Sequence, residues 1–89
     1  MSTYETMIQV IDPIGLHARP ASLIVKAVKE SGLTVMIGRQ GEKLTKANSP
    51  LMLMALKIKT GETLTVSVES DDEESAANLV AQIRDFLQG

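Results

Sequence analysis

A single histidine occurs in these 89 residues, and it stands in Gly15-Leu16-His17-Ala18-Arg19-Pro20. A neutral imidazole is a nucleophile near neutral pH. Arg19, two residues on, carries a planar fork of donors matched to phosphate oxygens. Together they are the means to take up and hold a phosphoryl group, provided that the backbone around them also favours an anion.

The neighbouring residues supply that condition. Gly15 closes a strand-like segment and permits backbone conformations that a side chain forbids. Pro20 suits a first helical turn, where its missing N–H has no intrahelical partner to lose. Leu23, Ile24, Ala27 and Val28 follow as an apolar stripe at helical spacing. His17 therefore sits at or beside a helix N-cap, and Gly15, Ala18 and Pro20 form the helix start that supports the phosphoryl group. The unpaired N–H groups of that turn and the helix dipole favour an exposed anion by roughly 0.3–1 kcal/mol. The same field favours the neutral, nucleophilic ring. No second acid or base is recognisably paired with His17 in the sequence, which weighs against an acid–base enzyme.

GLHARPAS, residues 15–22, resembles the active-site signature of the HPr family, the histidine-containing phosphocarriers of the bacterial phosphoenolpyruvate-dependent phosphotransferase system. The likeness extends over essentially the whole chain. It implies a carrier rather than a turnover enzyme: His17 accepts a phosphoryl group on Nδ1 from phosphorylated enzyme I, Arg19 assists, and the group passes to IIA proteins of sugar uptake. The alternative it leaves open is the same relay in a nitrogen- or metabolism-regulating branch, whose members also begin their second helix with Ala-Asn-Ser. One departure lies in the motif's loop. Ile14 stands where the family often has Ser or Asn, so that position offers no side-chain hydrogen bond to the imidazole.

The second informative stretch is Asn48-Ser49-Pro50-Leu51-Met52-Leu53-Met54-Ala55-Leu56. Asn48-Ser49 reads as a cap and Pro50 as the first helical residue. So short a helix buries only one face, which assigns Leu53 and Leu56 to the core, Leu51 and Met54 to the outside and Met52 to the boundary. Exposed methionine and leucine suit a surface that accepts more than one partner. In the family this helix docks on enzyme I and IIA proteins, and Leu16, Ala18, Ser22 and Lys26 would complete the docking surface. Ser49 aligns with the serine that an ATP-dependent kinase modifies in many Gram-positive HPr proteins, which adds a serine kinase/phosphorylase as a regulatory partner.

The rest of the chain must position these residues. Segments 4–11, 33–38, 42–45 and 63–69 read as strands, the middle pair joined through Arg39-Gln40-Gly41 as a hairpin. In the last strand Leu64, Val66 and Val68 alternate with polar residues, giving one buried and one wet face. A final helix over 72–87 opens with Asp72, Glu73 and Glu74 and carries Ala76, Leu79, Val80, Ile83, Phe86 and Leu87 on one face. The expected fold is an α+β open-faced sandwich: a four-stranded antiparallel sheet covered on one face by three helices, all within one domain, 1–89. The strand order 1-4-2-3 comes from the resemblance.

Composition narrows the function further. There is no cysteine and one histidine, so no thiolate or clustered-ligand metal site is expected, and no cofactor. A net charge of −2 gives no basic field for nucleic acid, and Tyr4 and Phe86 are too few and too far apart in sequence for base stacking. The N-terminal residues lack the pattern of a signal peptide, and the longest apolar run, 51–56, is too short to insert in a membrane. A monomeric protein of the cytoplasm is the expectation.

Overall fold

The computed structural model describes residues 2–88. In chain order the elements are β1 (Ser2–Gln9), α1 (Ala18–Ser31), β2 (Thr34–Arg39), β3 (Thr45–Lys46), α2 (Pro50–Met54), β4 (Thr63–Ser70) and α3 (Glu73–Phe86). The sheet runs β1-β4-β2-β3 with every neighbouring pair antiparallel. The helices cover one face, giving the open-faced sandwich expected.

The central position of β4 follows from its residues. Val66 lies between Thr6 and Ile37, and Val68 between Tyr4 and Val35, so β-branched and aromatic side chains meet across both ladders. Leu64, Val66 and Val68 are fully buried beneath the helices. The other face of β4 is drier than the alternation suggests. Thr65 and Ser67 are buried as well, because strands flank them on both sides, and the Thr65 hydroxyl donates to the Met7 sulfur at 3.2 Å.

On the helical layer, α1 turns inward Ala21, Ile24, Val25, Ala27 and Val28. Leu23, assigned to the stripe, is only half-buried, and Val25 is buried instead, α1 being packed against both α2 and α3. Gly32 ends α1 in the left-handed conformation, and its N–H donates to the Lys29 carbonyl. In α3, Ala76, Leu79 and Ile83 are buried, with Leu87 just beyond the end, while Val80 and Phe86 pack at the margin of the core.

Most element ends shift by one or two residues from expectation, and two of the shifts have identifiable reasons. β3 is only Thr45–Lys46 rather than 42–45, because Leu44 folds over Gly38 instead of extending the ladder. A Cβ on Gly38 would lie 2.9 Å from Leu44 Cδ2 and 2.9 Å from the Lys43 carbonyl. β1 ends at Gln9 rather than reaching residue 11: the Val10 amide still donates to the Glu62 carbonyl at 2.9 Å, but the amides after it turn to another partner. Ile11 and Asp12 both donate to the Leu87 carbonyl at the end of α3, each at 2.9 Å.

α2 fixes a stability prediction. Leu53 is fully buried and Leu51 is 74% exposed. Leu53→Ala should cost about 2–5 kcal/mol and Leu51→Ala less than about 0.5 kcal/mol, measured by denaturant unfolding. The opposite ranking would mean that α2 presents its other face to the core.

Candidate active site

The loop between β1 and α1 is short of regular structure, so its backbone groups need outside partners, and three segments provide them. The Leu87 carbonyl takes the Ile11 and Asp12 amides, and the Ile58 carbonyl takes the Leu16 amide at 3.0 Å. The Thr60 hydroxyl donates to the Asp12 carbonyl, which also accepts from Gly15 N–H at 2.9 Å. Gly15 has φ +85, and a Cβ there would sit 2.5 Å from the Ile58 carbonyl oxygen. Glycine is therefore required twice over, by its dihedral and by the backbone passing against it.

The segment that receives this loop is itself anchored. Arg39, at the end of β2, donates to the Glu62 carboxylate at 2.7 Å and to the carbonyls of Leu56 and Lys57 at 2.8 and 2.9 Å. Glu62 also accepts from the Lys59 amide at 2.6 Å. The Arg39 hydrogen bond, with the Lys59 amide second, holds the Glu62 carboxyl below its ordinary pKa. Nothing in the sequence pattern singled out this clamp.

His17 follows the loop as the N-cap of α1, in extended conformation, and its carbonyl accepts the first intrahelical bond from Ala21 at 3.0 Å. Its side chain makes no capping bond, and the first turn carries no acidic residue. The N–H groups of Ala18 and Arg19 are thus the orphan donors of the helix start, and Pro20 adds none.

A residue absent from the sequence-based site completes the arrangement. Asp12 is buried, with its side chain 3% exposed, and its Oδ2 lies 3.3 Å from Nε2 of His17. Its Oδ1 accepts from the Ile14 amide at 2.9 Å, the side-chain turn typical of Asp followed by Pro and Gly. Arg19 Nη2 is 3.8 Å from the same Oδ2, its side chain 61% exposed. The Ile14 amide, then the hydrogen bond and charge of His17 and the charge of Arg19, hold the Asp12 carboxyl below its ordinary pKa against the effect of burial. The expectation that no acid or base pairs with His17 is therefore corrected. Asp-Pro-x-Gly was the visible signal, but it marks a turn rather than the ring five residues on.

The family profile described as "PTS HPr component phosphorylation site" matches residues 4–87. The chain belongs to the HPr family. It is 38% identical over 74 residues to phosphocarrier protein HPr of Lysinibacillus sphaericus, covering 83% of each chain. It is likewise 38% identical over 82 residues to that of Mycoplasma pneumoniae, covering 85% of this chain and 89% of the relative. The crystal structure of phosphocarrier protein HPr from Bacillus anthracis superposes with a TM-score of 0.76 at 34% identity, covering 92% of this chain and 98% of that one.

Against the residues expected of an HPr surface, the structure sorts the assignments. Ala18, Arg19, Ser22 and Lys26 are exposed on α1, which packs against α2. Leu16 is 5% exposed and belongs to the core, because its amide is drawn onto Ile58 and its side chain follows inward. On α2, Leu51 is outside as expected, but Met54 is half-buried against the core and Met52 is the second exposed residue. Positions 51 and 54 lie one turn apart on the same side of α2, but Met54, next to the inward anchor Leu53 at the end of the helix, packs against the core. Ser49 is the N-cap of α2 in extended conformation, yet its hydroxyl makes no capping bond. Ile14 is 71% exposed and contributes only its amide. Among the described residues no three His, Cys, Asp or Glu side chains converge, and no helix is long and apolar enough to cross a membrane.

Two outcomes follow from the loop. Gly15→Ala should lower stability by about 1–3 kcal/mol, the scale of a left-handed non-glycine residue, in thermal or denaturant unfolding. Asp12 has a depressed folded pKa, so its contribution is present above the unfolded value near pH 4 and is lost as pH falls through the folded one. In acid unfolding followed by circular dichroism, Asp12→Asn should show a shallower loss of stability below about pH 4 than the wild type.

Proposed function

We propose that this protein carries phosphoryl groups between phosphorylated enzyme I and IIA proteins of sugar uptake, holding each transiently on Nδ1 of His17. The reading is carried by one observation: the imidazole stands at an open helix N-terminus with Nε2 turned to a buried carboxylate, while Nδ1 has no hydrogen-bond partner among the described residues. In the transfer the Nδ1 lone pair forms the new N–P bond, the donor's N–P bond breaks, and its electron pair returns to the donor imidazole. The Ala18 and Arg19 amides and the Arg19 guanidinium would offset the charge on the phosphoryl oxygens. Return of the group to a partner, rather than to water, makes the chain a carrier and not a turnover enzyme.

Partner docking falls on the exposed apolar residues Leu51 and Met52, with Ala18, Ser22 and Lys26 beside the helix start. An apolar patch of this kind on a monomer is suited to transient association. Phosphorylation of Ser49 would place a dianion at the edge of that patch and weaken docking. Among alternatives, the nitrogen- or metabolism-regulating branch uses the same site, and the IIA protein that accepts the group from His17 decides between them.

Incubation with phosphoenolpyruvate and enzyme I should therefore add one acid-labile phosphoryl group, detected by intact-protein mass spectrometry, and His17→Ala should abolish it. An acid-stable product, or labelling that survives His17→Ala, overturns the reading. Arg19→Ala should change folding by less than about 0.5 kcal/mol yet slow transfer by about a hundredfold, the usual effect of removing one charge-stabilising donor.

A further inference from the structure

The carboxylate of Asp12 bears on the chemistry of the ring as well as on its place. Both of its oxygens are committed: Oδ1 to the Ile14 amide at 2.9 Å, Oδ2 to Nε2 of His17 at 3.3 Å. With its side chain 3% exposed, it has little water to turn to. An ionised carboxylate only accepts, so the hydrogen between Oδ2 and Nε2 belongs to the ring. A neutral imidazole has one N–H, and with that hydrogen on Nε2 the lone pair is on Nδ1.

We propose that Asp12 holds one proton on Nε2 of His17 throughout the transfer cycle, so that Nδ1 acts first as nucleophile and then as leaving atom without any proton changing place. The inference rests on the phosphocarrier reading. On uptake, the Nδ1 lone pair forms the N–P bond while the donor's N–P bond breaks and its pair returns to the donor. The resulting ring, phosphorus on Nδ1 and hydrogen on Nε2, carries a positive charge that faces the Asp12 carboxylate. On delivery, the Nδ1–P bond breaks, its pair returns to Nδ1, and the ring left behind is the same neutral Nε2–H imidazole. Without that hydrogen the departing group would be an imidazolate, a far poorer leaving group. Among the described residues, Arg19 is the other charged side chain paired with Asp12, at 3.8 Å from Oδ2, and α2 brings no charged residue. Asp12 is thus a positioning residue, acting through His17 rather than on the phosphoryl group.

Asp12→Asn separates this role from that of a turn former. The Asn carbonyl can keep the Ile14 amide, leaving its NH2 to face Nε2. A donor there demands a lone pair on Nε2 and moves the ring hydrogen to Nδ1, where it blocks attack. The experiment uses the whole chain with ring-¹⁵N histidine: long-range ¹H–¹⁵N correlation reads the tautomer of the free protein, and ³¹P spectra follow uptake from phosphoramidate. The wild type should show the Nε2–H form and Asp12→Asn the Nδ1–H form, with phosphoryl uptake slowed by at least about tenfold, as a misplaced tautomer does in the serine-protease triad. A wild type with hydrogen on Nδ1, or an Asn variant with unchanged tautomer and rate, overturns the proposal. The wild-type spectrum decides the tautomer even if the variant does not fold. A wild type that takes up no phosphoryl group, from phosphoramidate or from enzyme I, overturns the carrier reading and this inference with it, whatever the tautomer.

Discussion

The constraint on which the rest depends is the contact between Gly15 and the Ile58 carbonyl. There is room there for a hydrogen and not for a carbon. Because the two backbones touch, the Leu16 amide reaches the same carbonyl, Leu16 turns into the core, and His17 arrives at the first turn of α1 already oriented. The loop opposite is held by Arg39 and Glu62, and the end of α3 closes the third side through Leu87. The site is set by contacts within one chain, so its geometry is in place without a partner.

The two long helices begin in opposite ways. α3 satisfies its own N-terminus: Asp72 accepts from the Glu74 amide at 3.1 Å and from the Ser75 hydroxyl at 2.8 Å, and Glu73 and Glu74 occupy the first turn. Its positive end is already neutralised. α1 has no acidic residue in its first turn and an N-cap side chain that makes no cap. Its carboxylate, Asp12, lies on the Nε2 side of the ring instead. The helix start is left for an external anion, and the ring is held from its other edge.

Most of the fold was legible in the sequence because it rests on periodicity. The alternation of Leu64, Val66 and Val68 and the stripe of α3 specify the buried faces, while the strand order came from the family resemblance. The helix start at His17 was legible from Gly15 and Pro20, whose backbone demands are local. What escaped the sequence is long-range. Asp12 reads as a turn residue until the loop brings it under the ring, and Arg39 reads as hairpin surface until it reaches carbonyls 17 and 18 residues away. The rotation of α2, which exchanges Met54 for Met52 on the surface, depends on which of six consecutive apolar residues the core selects. Pattern alone does not distinguish Leu53 with Leu56 from Leu53 with Met54.

The chemistry of the site comes down to a single atom. If Nε2 is occupied by Asp12 and Nδ1 is open at the helix start, the phosphoryl group has one place to go. The most direct measurement is the site of phosphorus on the ring of the protein phosphorylated by enzyme I, read from the coupling between ³¹P and ring ¹⁵N. Coupling to Nδ1 alone is the predicted result. Coupling to Nε2 would mean that the ring turns away from Asp12 to react, and would contradict the account.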